Sequence, residues 1–332
     1  MKTLSINNNF DILRLILAIL VFFAHWNILT SQGISNPLFH LSAMAVDMFF
    51  VVSGFLIFWS FDSDQNKKYF YIKRFFRIFP LYAFLIILQT LFFIGFSDGN
   101  IVEIIKYFIV NIFFLNFLAP SVGSTLSSLE VNAINGSLWT LKNEVAFYFL
   151  VPLIFMFYKR WGGRIFLMIL YSLSVLYMFI VDYLGIEKLL VQFPAQLRLF
   201  VIGILLYVFF DKFNDKNIYF LSIFSLILIV LFRDFEYFKY ILYPFCIGFI
   251  MICLVYFVKN INVNFDFSYS LYILHFPVIQ SALYFEINPT NPIISFVVLF
   301  AVILVLSYFS EKYIEKRFIK IGREIVKKDR SA

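Results

Sequence analysis

The chain has 332 residues, 62% of them hydrophobic and only 14% charged, with 48 phenylalanines. Together with a mean hydropathy of +0.89 this excludes a soluble globular domain and places the chain among polytopic membrane proteins. The formal charge of +7 would suggest nucleic acid in a soluble protein; here it reads as basic cytoplasmic segments facing membrane lipids, and no nucleic-acid partner is expected.

Apolar runs near 10–30, 42–61, 78–96, 139–158, 164–183, 195–211, 217–233, 239–258, 267–285 and 292–310 are long enough to cross a bilayer. They predict an all-α fold of about ten transmembrane helices, with no long polar break to separate domains. A further apolar run covers 101–119. If the chain starts inside and this run does not cross, 21 of the 27 Lys and Arg residues fall on the inner side. Letting it cross reverses that bias, so both termini, including a basic tail over 311–332, are expected in the cytoplasm and 101–119 is expected not to span. The polar stretch APSVGSTLSSLEVNAINGS that follows is either part of a lid or re-entrant element, or an ordinary loop beside an interfacial helix. The first run is too long for a cleavable signal peptide and should stay as an anchor. Cys246 and Cys253, seven residues apart on one helix, would lie about 10 Å from each other, too far for a disulfide.

Polar residues inside these runs carry the functional argument, because a charge at bilayer depth costs at least ~2.5 kcal/mol on insertion scales. In span one, FDILRLILAILVFFAHW, His25 follows Arg14 by eleven residues, close to three helical turns, so both project from nearly one face. Asp11 is spaced to partner Arg14. Arg14 snorkelling to headgroups and His25 capping the outer end are the plainer readings.

Span two, AVDMFFVVSGFLIFW, places Asp47 on the face of Gly54, where Ser53 and Gly54 permit close helix approach. KKYFYIKRFFRIFPLY then sets Lys73, Arg74 and Arg77 at the cytoplasmic entry of span three, as lipid-binding charge or as a dock for a phosphate-rich ligand. NGSLWTLKNEVAFYFLVP puts Glu144 in the first turns of span four, four residues after Thr140, with Trp139 as an interfacial anchor. Arg198 lies just inside the span that begins QFPAQLRLFVIG. In DFSYSLYILHFPVIQ, Ser268, Tyr272 and His275 share a stripe, and His275 needs a partner at mid-depth, a tyrosine being one candidate. The three histidines, at 25, 40 and 275, fall in separate segments without short ligand spacing, so no metal is expected.

Arg14-x10-His25, VDMFFVVSGFLI, KRFFRIFPLY, SLWTLKNEVAFYF, RLFVIGILLY and SYSLYILHFP, in that order, resemble the membrane acyltransferase family 3, which includes bacterial O-antigen O-acetyltransferases. The resemblance runs nearly the whole chain. It implies a single integral-membrane acyltransferase domain over 1–332 in the bacterial inner membrane. The implied activity is transfer of an acyl group, commonly acetyl from acetyl-CoA as cosubstrate, to a hydroxyl of a surface glycan such as O-antigen lipopolysaccharide or exopolysaccharide. No tightly bound cofactor is implied.

By the resemblance, Arg14 and His25 correspond to the family's Arg/His signature, Lys73, Arg74 and Arg77 to its basic loop, and Glu144 to its Trp-x4-Glu glutamate. Lys73 stands where an arginine is commoner, Glu315-Lys316-Arg317 lacks a proline that relatives often carry, and no SGNH hydrolase-like domain is expected.

The expected mechanism docks the nucleotide of acetyl-CoA on Arg14, Lys73, Arg74 and Arg77. His25 acts as general base or acyl carrier, and Asp47 or Glu144 orients its ring. Asp11, Ser53, Trp139, Arg198, Tyr272 and His275 are expected as supporting or substrate contacts. The alternative is a proton-coupled carrier of a glycolipid or small metabolite, though no internal repeat of the transporter kind is visible.

Overall fold

The computed structural model describes residues 8–31, 41–261, 265–287 and 291–331; the expectation for His40 lies outside them. The described residues form an all-α, multi-pass membrane fold. The helices are α1 (Phe10–Thr30), α2 (Leu41–Asp64), α3 (Lys67–Phe96), α4 (Ile101–Ile112), α5 (Trp139–Arg160), α6 (Gly163–Tyr183), the single turn α7 (Glu187–Leu190), α8 (Phe193–Val208), α9 (Asp215–Phe232), α10 (Tyr243–Ile252), α11 (Ser268–Tyr284), α12 (Pro292–Ser310) and α13 (Lys316–Ser331). Among the described residues nine helical stretches are long and apolar enough to cross a membrane. The tenth expected span is α11, whose 17 residues fall just short of that group.

The chain divides into two compact units, Met1–Leu17 with Ala43–Phe70 and Asn143–Asn264, and Ala18–Ser42 with Tyr71–Lys142 and Phe265–Ala332. In the first, α8 is the central helix, with twelve of its sixteen residues buried. Its approach to α2 is set by two glycines. A Cβ on Gly54 would lie 2.1 Å from the Phe200 carbonyl oxygen, and one on Gly203 would lie 2.1 Å from that of Val51. Backbone therefore meets backbone, as the small residues of span two predict for Gly54; Ser53 beside it is half-buried. Phe200 fills the margins of the crossing by stacking on Phe147 at 4.3 Å and packing against Phe50 at 5.0 Å.

In the second unit, α4 is only 12 residues, about 18 Å at helical rise, which is too short to cross a hydrocarbon core of ~30 Å. Ile101, Val102, Ile105 and Ile109 are exposed together with Glu103 and Lys106, while Ile104, Tyr107 and Asn111 are buried. The polar stretch after it is not a loose lid. Ala119, Val122, Leu126 and Ile134 form a core with Phe93, Ile104 and Tyr107. Gln280 of α11 ties the stretch down by donating to the Val131 and Ala133 carbonyls, each at 2.7 Å. At its other edge Asp98 accepts from the Ser124 hydroxyl, the Ser124 amide at 2.9 Å and the Thr125 hydroxyl at 3.2 Å, and these bonds, the Ser124 hydroxyl foremost, hold its carboxyl below the usual range.

Two sequence expectations about the ends of helices change. The basic segment before span three is not a loop: helix begins at Lys67, so Lys73, Arg74 and Arg77 stand on α3 itself, each half-buried. The missing proline after Glu315 leaves no turn. Glu311–Glu315 form a π-helical segment that runs into α13, and Ser270 of α11 donates to the buried Glu315.

Candidate functional site

The second unit brings together two histidines that the sequence left in separate segments. His25 Nδ1 and His275 Nε2 are 2.7 Å apart across 250 residues, with the two rings within 16° of coplanar. His275 is fully buried, and its Nδ1 lies 3.0 Å from the Leu271 carbonyl oxygen; His25 is partly exposed. Phe276 meets the His25 ring edge-on at 5.1 Å, and Phe22 meets His275 likewise at 6.4 Å. The mid-depth partner that His275 requires is thus a histidine. The tyrosine alternative fails because both ring nitrogens of His275 are engaged, Nε2 with His25 and Nδ1 with the Leu271 carbonyl oxygen, while the Tyr272 hydroxyl meets Thr140 Oγ1 at 2.8 Å.

The segment before α5 positions this pair through α11. Pro277 has no N–H, so the Ile273 carbonyl one turn earlier loses its helical donor. Asn135 Nδ2 supplies the replacement at 2.9 Å, while its Oδ1 accepts from the Ser137 hydroxyl at 2.7 Å. Gly136 lies so close to the Phe276 ring that a Cβ would come within 2.8 Å of it. Residues 135–140 therefore grip α11 along the turn that carries His275. Asn135 was missed in the sequence because its role exists only opposite a proline 142 positions later.

Asp47 and Glu144, expected to orient His25, have their partners within the first unit. Asp47 lies within electrostatic reach of the buried Arg198 and beside Tyr243. Arg198 also donates from Nη1 to the Ala195 carbonyl at 2.8 Å. Glu144 accepts from Tyr148, one turn on, at 2.6 Å. Within the second unit the ring of His25 is held by His275, a group whose neutral form costs far less to bury than a carboxylate.

The cations divide similarly. Asp11 and Arg14 form the expected pair, at 3.0 Å. Lys73, Arg74 and Arg77 follow one another along α3 at helical spacing, but Arg77 already pairs with Asp266 at 3.4 Å, and Asp266 also accepts from Ser268 at 2.6 Å. Trp139 is the first residue of α5 and is half-buried. Lys142 does not serve Glu144, since its ammonium sits 4.5 Å from the Phe117 ring centre. Cys246 and Cys253 are buried free thiols, as their spacing predicts.

The family profile described as "Acyltransferase domain" matches residues 7–311, nearly the whole chain and every element above except α13. The chain belongs to this acyltransferase family. It is 28% identical over 337 aligned positions to a protein named O-acetyl transferase from Shigella phage Sf6, covering 94% of this chain and 96% of that one. It is also 32% identical over 172 positions to Nodulation protein 10 of Rhizobium leguminosarum bv. viciae, a match that spans 46% of each protein. The chain thus matches under half the length of that second relative. No solved structure matches the acyltransferase.

Proposed function

We propose that this acyltransferase moves an acetyl group from acetyl-CoA to a hydroxyl of a cell-surface glycan, of the O-antigen or exopolysaccharide kind, at the bacterial inner membrane with both termini in the cytoplasm. The observation that carries the reading is the histidine pair: a partly exposed imidazole, anchored at membrane depth by a second, buried imidazole. Neutral imidazole is the side chain best matched to general-base work near neutral pH. Full-length similarity to a named O-acetyl transferase supports acetyl as the group and oxygen as its acceptor atom.

In this reading His25 takes the proton of the acceptor hydroxyl as its oxygen attacks the thioester carbonyl. The tetrahedral intermediate expels CoA as a thiolate, and His25 returns the proton to that sulfur, giving an ester and free CoA. Lys73, Arg74 and Arg77 of α3, and Arg14 of α1, supply cations for the donor's phosphates. Glu144 corresponds by the family resemblance to the Trp-x4-Glu glutamate, five residues after Trp139.

The test is a mass profile of surface polysaccharide from cells expressing the chain, or His25→Ala at matched membrane level. The expected result is an acetyl-sized increment present with the intact chain and lost by at least ~100-fold in the variant. Equal acetylation by both would remove His25 from the chemistry. Uptake driven by a pH gradient without any acyl-CoA would favour the carrier.

A further inference from the structure

From the hydrogen bonds of the histidine pair we infer that the reactive atom of His25 is Nε2, and that His275 is a positioning residue that fixes the tautomer exposing it. This rests on the acyl-transfer reading above. The Leu271 carbonyl can only accept, so His275 Nδ1, 3.0 Å away, carries a proton. A neutral His275 then presents a lone pair at Nε2. His25 Nδ1, 2.7 Å from that lone pair, must be the donor, and the only lone pair left on a neutral His25 is at Nε2.

The environment reinforces the assignment. The pair is walled by Phe22 and Phe276, and the side chain beside His275 on its own helix, Tyr272, spends its hydroxyl on Thr140. Among the described residues no other side chain hydrogen-bonds either imidazole. Nε2 of His25 therefore faces away from the pair, on the ring that is partly exposed.

The order of bonds also balances the reaction. When Nε2 receives the hydroxyl proton, Nδ1–H is already committed to His275, so the imidazolium keeps a hydrogen-bond acceptor without any proton leaving the pair. The proton on Nε2 is then the one delivered to the departing thiolate. Were the tautomer reversed, Nε2 would carry a hydrogen and could not take the hydroxyl proton.

Two substitutions at one position separate positioning from bulk. Glutamine offers an acceptor oxygen near the place of Nε2 and a donor N–H, whereas leucine fills similar space with neither. In membranes supplied with acetyl-CoA, His275→Gln should keep transfer within about threefold and His275→Leu should lose ~10–100-fold, with the KM for acetyl-CoA little changed.

The chain has three histidines, so 15N-histidine labelling with His25→Gln as the assignment control resolves the ring. The intact protein should show His25 protonated at Nδ1, and His275→Leu should shift the proton toward Nε2. Equal activity of the two His275 variants, whether both high or both low, would overturn the inference, as would a resting proton on Nε2. Retained transfer in His25→Gln would instead sink the functional reading itself.

Discussion

The two units of this acyltransferase solve the same problem, polar groups at membrane depth, in opposite ways. In the first, Asp47 and Arg198 are buried within reach of each other as opposite charges, and α2 and α8 meet through glycines, backbone on backbone. In the second, His25 and His275 satisfy each other as neutral rings, and α11 is held by short side chains that repair a proline break. A charged pair holds firmly but leaves neither partner free for proton transfer. A neutral pair leaves one lone pair available, which is what a base requires.

The largest effect should come from breaking the charged pair. Asp47→Asn leaves a buried guanidinium uncompensated and should cost about 3–5 kcal/mol, read as a fall in the thermal midpoint of the detergent-solubilised protein. Adding Arg198→Gln should recover part of that loss. If the single variant costs under ~1 kcal/mol, the two residues are not a pair in the sense used here.

A smaller effect tests the repaired break. Asn135→Ala orphans the Ile273 carbonyl and should cost about 1–3 kcal/mol. In a Pro277→Ala background, where residue 277 regains its N–H, the same substitution should cost clearly less, because the helix then satisfies its own carbonyl. Strict additivity in that double-mutant cycle would refute the coupling.

The smallest effect lies in the stretch after α4. Asp98 has a carboxyl held below its ordinary value, so the stability it lends is present above about pH 3.9 and fades as acid takes the pH through its lowered folded value. Hydrogen exchange at the Ser124 amide should be faster in Asp98→Asn than in the intact protein at pH 7, with the gap closing in strong acid. A gap unchanged in acid strong enough to protonate the carboxylate would assign the ordering to something other than Asp98.

Span count, the non-crossing of 101–119, the Asp11–Arg14 pair and the free thiols were legible in the sequence because each depends on local spacing or length. Partner choice was not. Asp47 and Glu144 are expected as orienting groups for His25 because a carboxylate is the usual choice, and nothing in the local pattern shows that Arg198 and Tyr148 also lie beside them. His275 announced a need for a partner but not its identity. The proline at 277 was the one local signal that an outside donor had to reach α11, and it pointed to a role without naming Asn135.

The distance along the chain between the two histidines also sets an order of manufacture. His25 belongs to α1, which leaves the ribosome ahead of α11, and its partner follows 250 residues later. At ~5–20 residues per second that interval is roughly 12–50 seconds, during which the imidazole has no ring to bond with. Neither unit is a contiguous stretch of polypeptide, so neither can close early. The nascent protein must therefore be sheltered, at the insertion machinery or by its own neighbouring helices, until α11 arrives. A truncation that stops translation before α11 should yield a chain that quality control removes, even though most of its spans are complete.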